Sequence, residues 1–68
     1  MLKYSIVLYN NQWNELRPLI KTLQEQDKIE YSAHGYTRDK VLILCESDRE
    51  TSDIVDQKLE EILGYVYA

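Results

Sequence analysis

The 68-residue sequence contains a single cysteine, so no disulfide can form within the chain. Cys45 also lacks the neighbouring cysteines and histidines whose spacing marks a structural zinc site. A chain this short has a hydrophobic core that is only just large enough to stabilise a fold. We therefore expect no metal and no cofactor, and we expect the chain to gain stability by pairing as a homodimer.

Glycine and long apolar runs are also scarce. The only glycines are Gly35 and Gly64, so no glycine-rich loop is present to hold a phosphate group. The longest apolar run, residues 41–45, is far shorter than the ~20 residues of a membrane helix. The first residues lack the continuous apolar stretch of a signal peptide. These absences predict one domain over residues 1–68, in the cytoplasm and without membrane association.

The formal net charge of -4 is unevenly distributed along the chain. Residues 1–45 carry six basic and five acidic side chains, whereas residues 46–68 carry two basic and seven acidic ones. An acidic chain is a poor ligand for nucleic acid, because non-specific binding depends on lysine and arginine contacts to phosphates. The charge favours a basic protein partner instead.

The first half of the chain predicts a strand followed by a helix. Residues 3–9 alternate in polarity, which is typical of a strand with one covered face. Apolar residues then recur at steps of three and four and predict an amphipathic helix over residues 12–26. Pro18 leaves two possibilities open: either the helix kinks there, or it begins at an Asn14 N-cap so that Pro18 lies early in it.

The next segment predicts an antiparallel hairpin, because two extended runs, residues 29–36 and 41–45, flank a polar turn. Pairing Tyr36 with Val41 sorts the side chains onto two faces. One face then carries Ser32, His34, Tyr36, Val41, Ile43 and Cys45, and the other, beneath the helices, carries Tyr31, Ala33, Gly35, Leu42 and Leu44.

The last third predicts a second helix over about residues 48–63. Ser47 and Glu50 have the spacing of a capping box at its start, and Gly64 is a natural terminator. Residues 65–67 have the composition of a fourth strand, although a helix that continued through them would leave three strands. The element order predicts an α+β, ferredoxin-like βαββα(β) fold, with two helices on one face of an antiparallel sheet and the first and third strands central.

Two surfaces are candidate binding sites. The sheet face without helices would form a large apolar and aromatic patch, which is typical of an interface. The acidic second helix would suit a basic surface, although such a charge run is also typical of a solvated face. The predicted partner-binding residues are Val7, Tyr9, His34, Tyr36, Val41 and Ile43 on the sheet, and Asp48, Asp53, Asp56 and Glu60 on the helix.

A Cys/His nucleophile pair is the enzymatic alternative, because His34 and Cys45 fall on the same predicted face. The predicted pairing offsets them along the strands, and no acidic residue or oxyanion-hole loop accompanies them. A buried thiol and a partly exposed histidine fit the pattern better. We therefore predict no catalytic residues and no enzymatic activity.

These features favour a small, acidic, non-enzymatic protein-interaction module. By association from size and charge alone, such a module could be a stoichiometric inhibitor or adaptor, such as a phage-type anti-host or anti-CRISPR factor. The alternative is a homodimeric ligand-sensing or regulatory domain with a small-molecule site at the subunit interface.

Overall fold

The computed structural model describes residues 1–64. Three strands form an antiparallel sheet in the order β1-β3-β2, and two helices complete an α+β fold, as predicted. The fourth strand considered for residues 65–67 lies outside the described residues. The elements are β1 (Leu2–Tyr9), α1 (Asn10–Glu25), β2 (Ile29–Gly35), β3 (Lys40–Ser47) and α2 (Arg49–Leu63).

The central strand is β3, which pairs with β1 on one side and with β2 on the other. Ile43 lies opposite Ile6 of β1 and Ala33 of β2. Because residues directly opposite one another share a face, every second residue of β3 points toward the helices. Among the three described strands, β3 is central, as predicted. In contrast to the prediction, β1 is an edge strand of this three-stranded sheet.

The predicted hairpin register is wrong by one residue. Val41 lies opposite Gly35 rather than Tyr36, so Tyr36 falls opposite Lys40 and three residues, 37–39, lie between them instead of four. The N–H groups of Tyr36 and Thr37 both donate to the carbonyl of Lys40, at 3.1 and 3.3 Å. A shift of one residue exchanges the faces of a strand. Val41, Ile43 and Cys45 consequently lie beneath the helices, and Leu42 and Leu44 lie on the face that the helices leave uncovered.

The hydrophobic core lies between the sheet and the helices. Helix α1 buries side chains spaced by three and four residues, as an amphipathic helix does. Trp13 also meets Tyr31 edge to face, with ring centroids 6.0 Å apart, a geometry that aromatic pairs favour. The buried apolar residues are Leu8, Trp13, Leu16, Ile20, Leu23, Ile29, Ile43, Cys45 and Val55.

Pro18 lies inside α1 rather than near its start. The helix begins at Asn10, and the Gln12 Oε1 atom accepts a hydrogen bond from the Tyr9 N–H at 3.0 Å. The alternative of an Asn14 N-cap is therefore wrong. Since proline has no N–H, the carbonyl of Asn14 has no donor four residues on. Asn14 is exposed, so water can satisfy this carbonyl.

Helix α2 is capped by Asp48, one residue later than predicted. An Asp48 carboxylate oxygen accepts from the Thr51 N–H at 2.7 Å, and this bond lowers the pKa of the carboxyl group. Ser47, the predicted cap, is instead fully buried. Its hydroxyl donates to the Asp48 carbonyl at 3.0 Å and lies 2.8 Å from the Tyr4 hydroxyl. The predicted capping box is therefore wrong, although the predicted helix is confirmed.

The C-terminal end of α2 is a left-handed turn at Gly64, where φ is 70°. Glycine adopts this conformation without the strain that a Cβ atom would introduce. Neither of the two helices in residues 1–64 is long and apolar enough to cross a membrane.

Candidate interaction surface

The sheet face opposite the helices is the candidate site, and we call it the open face. The strand register arranges its side chains in four rows that run across β1, β3 and β2. Tyr36 lies just beyond β2 and continues the last row. The rows are Lys3, Glu46 and Glu30; then Ser5, Leu44 and Ser32; then Val7, Leu42 and His34; and finally Tyr9, Lys40 and Tyr36.

Three apolar side chains lie together in the middle of the open face, beside Ser5, Ser32 and His34. Val7 lies directly opposite Leu42, and Leu44 is two residues farther along the same strand, so the three side chains are neighbours. Val7 and Leu44 are 43% and 45% exposed, and Tyr9 and Tyr36 are 50% and 58% exposed. Single exposed apolar residues are ordinary, whereas adjoining ones make this face the candidate interaction surface.

The two ends of the open face differ in charge. At one end the Lys40 ammonium lies 5.1 Å from the centroid of the Tyr9 ring, within the range of a cation–π contact. At the other end Glu46 lies opposite Glu30 and Lys3, which leaves a net negative row. The face therefore runs from a basic, aromatic end through an apolar middle to an acidic end.

His34 is part of the open face, and its hydrogen-bond partner is a serine of the same strand. Its Nε2 atom lies 3.0 Å from the Ser32 hydroxyl, two residues away on the same strand. This hydrogen bond is exposed, so it orients the imidazole ring at the surface. His34 can therefore donate or accept a hydrogen bond at an interface.

The predicted sheet residues divide into two groups. Val7, Tyr9, His34 and Tyr36 contribute to the open face, whereas Val41 is half-buried on the covered face. Ile43 is fully buried there, so neither can contact a partner on the open face. The sequence prediction missed Lys40, Leu42, Leu44 and Glu46. Because side chains alternate along a strand, these four residues must share one face of β3. The sequence does not show which face this is, because that depends on the length of the hairpin loop.

The acidic residues of α2 form a surface of their own. Asp53, Asp56 and Glu60 are exposed and recur at steps of three and four residues, so they lie along one side of the helix. Arg49 lies 3.9 Å from Asp53, and an exposed pair of this kind contributes little to stability. Asp48 has a separate role as the N-cap. Since α2 packs on the covered face, this acidic stripe is not part of the open face.

Cys45 and His34 lie on opposite faces of the sheet, because Cys45 shares its face with Tyr31. The Cys45 side chain is buried, with 4% exposure, and this burial raises the pKa of the thiol to about 11. The predicted shared face for these residues is wrong, and they cannot act together as a nucleophile and its base.

We expect Cys45 in the folded protein to react with a disulfide reagent such as DTNB at least a hundredfold more slowly than in the unfolded chain. The thiolate is the reactive form, and raising the thiol pKa from 9.0 to about 11 reduces the thiolate fraction about a hundredfold. The greater nucleophilicity of the thiolate offsets part of this loss, and burial of the side chain, which shields the sulfur from the reagent, slows the reaction further. The measurement compares DTNB rates at pH 7 with and without urea, with Cys45→Ser as the blank. Equal rates would contradict the buried position.

Within residues 1–64, no three histidine, cysteine, aspartate or glutamate side chains are grouped closely enough to hold a metal ion. Comparison with models of protein families gave no match, and comparisons with curated proteins and with solved structures gave none either.

Proposed function

We propose that this chain is a non-enzymatic protein-interaction module that binds a protein partner through the open face. The observation that supports this proposal is the adjoining side chains of Val7, Leu42 and Leu44, of which Val7 and Leu44 are exposed and Leu42 is half-buried, with Tyr9 and Tyr36 at one end. Apolar surface removed from water contributes roughly 25 cal/mol per Å². Tyrosine adds a large contact area together with a hydrogen-bonding group, and it is enriched at interfaces.

The acidic stripe on α2 supports a second contact in the same proposal. Because Asp53, Asp56 and Glu60 are exposed, they can attract a basic surface and speed its approach. Attraction of this kind weakens as salt screens the charges. The proposal therefore fits a stoichiometric inhibitor or adaptor in the cytoplasm. Apolar contacts on the open face would hold the partner, and the acidic stripe on α2 would add an electrostatic attraction that weakens with salt.

The homodimeric ligand-sensing role is the alternative proposal. A hollow of about 630 Å³ over the polar end of the open face has Ser5, Ser32 and Leu44 in its lining. It is open to solvent, whereas small-molecule sites bury most of their ligand. A second copy of the chain would have to close it.

The ferredoxin-like arrangement also stays a proposal. That arrangement needs a fourth strand beside β1, and the described residues supply three strands. The crossover through α1 between β1 and β2, with β3 inserted between them, is compatible with it.

We expect a partner captured from a cell lysate by the tagged protein to be lost when Leu44 is changed to aspartate. Leu44→Asp places a charge in the apolar middle of the open face, and we expect at least a tenfold fall in affinity. The matched control is Gln24→Asp, which adds the same charge at an exposed position on α1. Capture is measured by quantitative mass spectrometry, and affinity for the purified partner by calorimetry.

The result that would overturn the proposal is also specific. If Leu44→Asp and Gln24→Asp retained every captured protein equally, and if the chain did not associate with itself through this face, the open face would not be an interaction surface. Loss of a partner only when Asp53 and Asp56 are changed to lysine would move the site to α2.

A further inference from the structure

We propose that the partner on the open face is a second copy of this chain, docked face to face with its strands running in the opposite direction. This inference rests on the proposed role of the open face and names the partner that fits it. The argument uses the distribution of charge along β3. Lys40 and Glu46 lie six residues apart on the open face, one at each end of the strand, so about 20 Å separates them.

If the strands of the two copies are aligned, a two-fold axis can bring the two open faces together in two ways. If the axis lies across the strands, each end of one face meets the opposite end of the other. Lys40 of each copy then meets Glu46 of the second copy, and Leu42 meets Leu44. Because a two-fold interface repeats every contact, each of these pairs forms twice.

The outer strands fit the same arrangement. Lys3 meets the Tyr9 ring of the second copy, where a cation–π contact is favourable. Tyr36 meets Glu30, and its phenol can donate a hydrogen bond to the carboxylate. Facing sheets twist relative to one another by about 30°, which displaces the outer strands more than the central one. The contacts along β3 therefore define the arrangement best.

The other orientation places the axis along the strands, so that Lys3 on β1 meets Glu30 on β2 of the second copy, which is favourable. Along β3, however, this orientation brings like charges together and offsets that gain. Lys40 would then meet Lys40 of the second copy, and Glu46 would meet Glu46. Like charges placed together in an interface are unfavourable and exclude the wrong geometry. The central strand consequently selects the opposed orientation, although the apolar middle would fit in both.

The size of the face sets the expected affinity. Three strands about 4.8 Å apart and about 26 Å long cover roughly 370 Å² in projection. A standard stable interface buries about 800 Å² on each partner. Because this face is small, we expect a weak dimer whose population changes with protein concentration between about 10 μM and about 1 mM.

The test uses two charge reversals, Lys40→Glu and Glu46→Lys, each on the full chain. Either change alone gives two like-charge contacts in the opposed dimer, and we expect association to fall about tenfold or more. A mixture of the two variants regains opposite charges at both contacts, so we expect a heterodimer. Sedimentation equilibrium from about 10 μM to about 1 mM measures association over the expected range, and circular dichroism verifies that each variant is folded.

The outcomes separate this inference from the proposed function. Association of the mixture, with each variant alone monomeric, supports the opposed dimer. If both variants associated as strongly as the wild-type chain, the opposed dimer would be wrong. Only a dimer with its axis along the strands, in which position 40 meets position 40 and position 46 meets position 46, keeps the same number of like-charge contacts after either reversal. A wild-type chain that stays monomeric at about 1 mM would also overturn the opposed dimer, while Leu44-dependent binding of another protein would preserve the proposed function.

Discussion

Changing Ile43 to aspartate is expected to unfold the protein, whereas changing the next residue, Leu44, to aspartate is expected to leave it folded. Ile43 is fully buried at the centre of the core, and Leu44 is 45% exposed on the open face. Deleting a buried isoleucine side chain costs about 2–5 kcal/mol. A domain of this size has a net stability of about 3–5 kcal/mol, and an unpaired buried carboxylate adds a further cost.

The pair of variants also tests the strand register directly. With Tyr36 opposite Val41, Leu44 would lie in the core and Ile43 would face outward, so the two effects would be exchanged. Urea unfolding followed by circular dichroism measures both variants, with Ile43→Val as a conservative control that should cost about 0.5–1.5 kcal/mol. A folded Ile43→Asp together with an unfolded Leu44→Asp would show that the register is wrong.

Changing Pro18 to alanine is expected to stabilise the protein by about 2–3 kcal/mol. Pro18 lies inside α1, where it removes one backbone hydrogen bond and its ring crowds the carbonyl of Asn14. Proline in a helix interior costs about 3 kcal/mol relative to alanine. Since Pro18 is exposed, the alanine creates no cavity in the core.

The measurement is the free energy of unfolding in urea and the thermal midpoint. Arg17→Ala and Lys21→Ala are matched controls, because both residues are exposed on the same helix and should change stability by no more than about 0.5 kcal/mol. A destabilised Pro18→Ala would mean that the ring makes contacts in the folded state that outweigh the missing hydrogen bond.

The helices were predictable because their pattern has one interpretation. Leu16, Ile20 and Leu23 recur at steps of three and four residues with polar residues between them, and all three are buried. No other face of α1 would collect these apolar side chains. The same applies to α2, which ends at a glycine in the left-handed conformation.

The faces of β3 were not predictable from its own residues. Val41, Ile43 and Cys45 form one apolar set, and Leu42 and Leu44 form another. Hydrophobic alternation identifies the buried side of a strand only when one of the two sets is polar. The deciding feature is a single residue of loop length, which depends on how Tyr36 and Thr37 share the carbonyl of Lys40. The candidate site shifted for the same reason.

The N-cap of α2 was misplaced by a related ambiguity. Ser47 and Asp48 are both good capping residues, and the sequence around each is compatible with a helix start. The structure distinguishes them by burial. Ser47 is the last residue of β3 and points into the covered face beside Tyr4, so only Asp48 is free to accept from the Thr51 N–H.

The two apolar sets of β3 make a second hairpin alignment compatible with hydrophobic burial. The hairpin of β2 and β3 is local, whereas β1 pairs Leu2 with Ser47 across most of the sequence, and contacts between distant residues form slowly. A hairpin with Tyr36 opposite Val41 would present Leu42 and Leu44 to the helices, and hydrophobicity alone would not reject it. The apolar open face therefore permits a misaligned hairpin. Pairing of β1 with β3, which places Ser47 on the covered face, favours the native strand alignment.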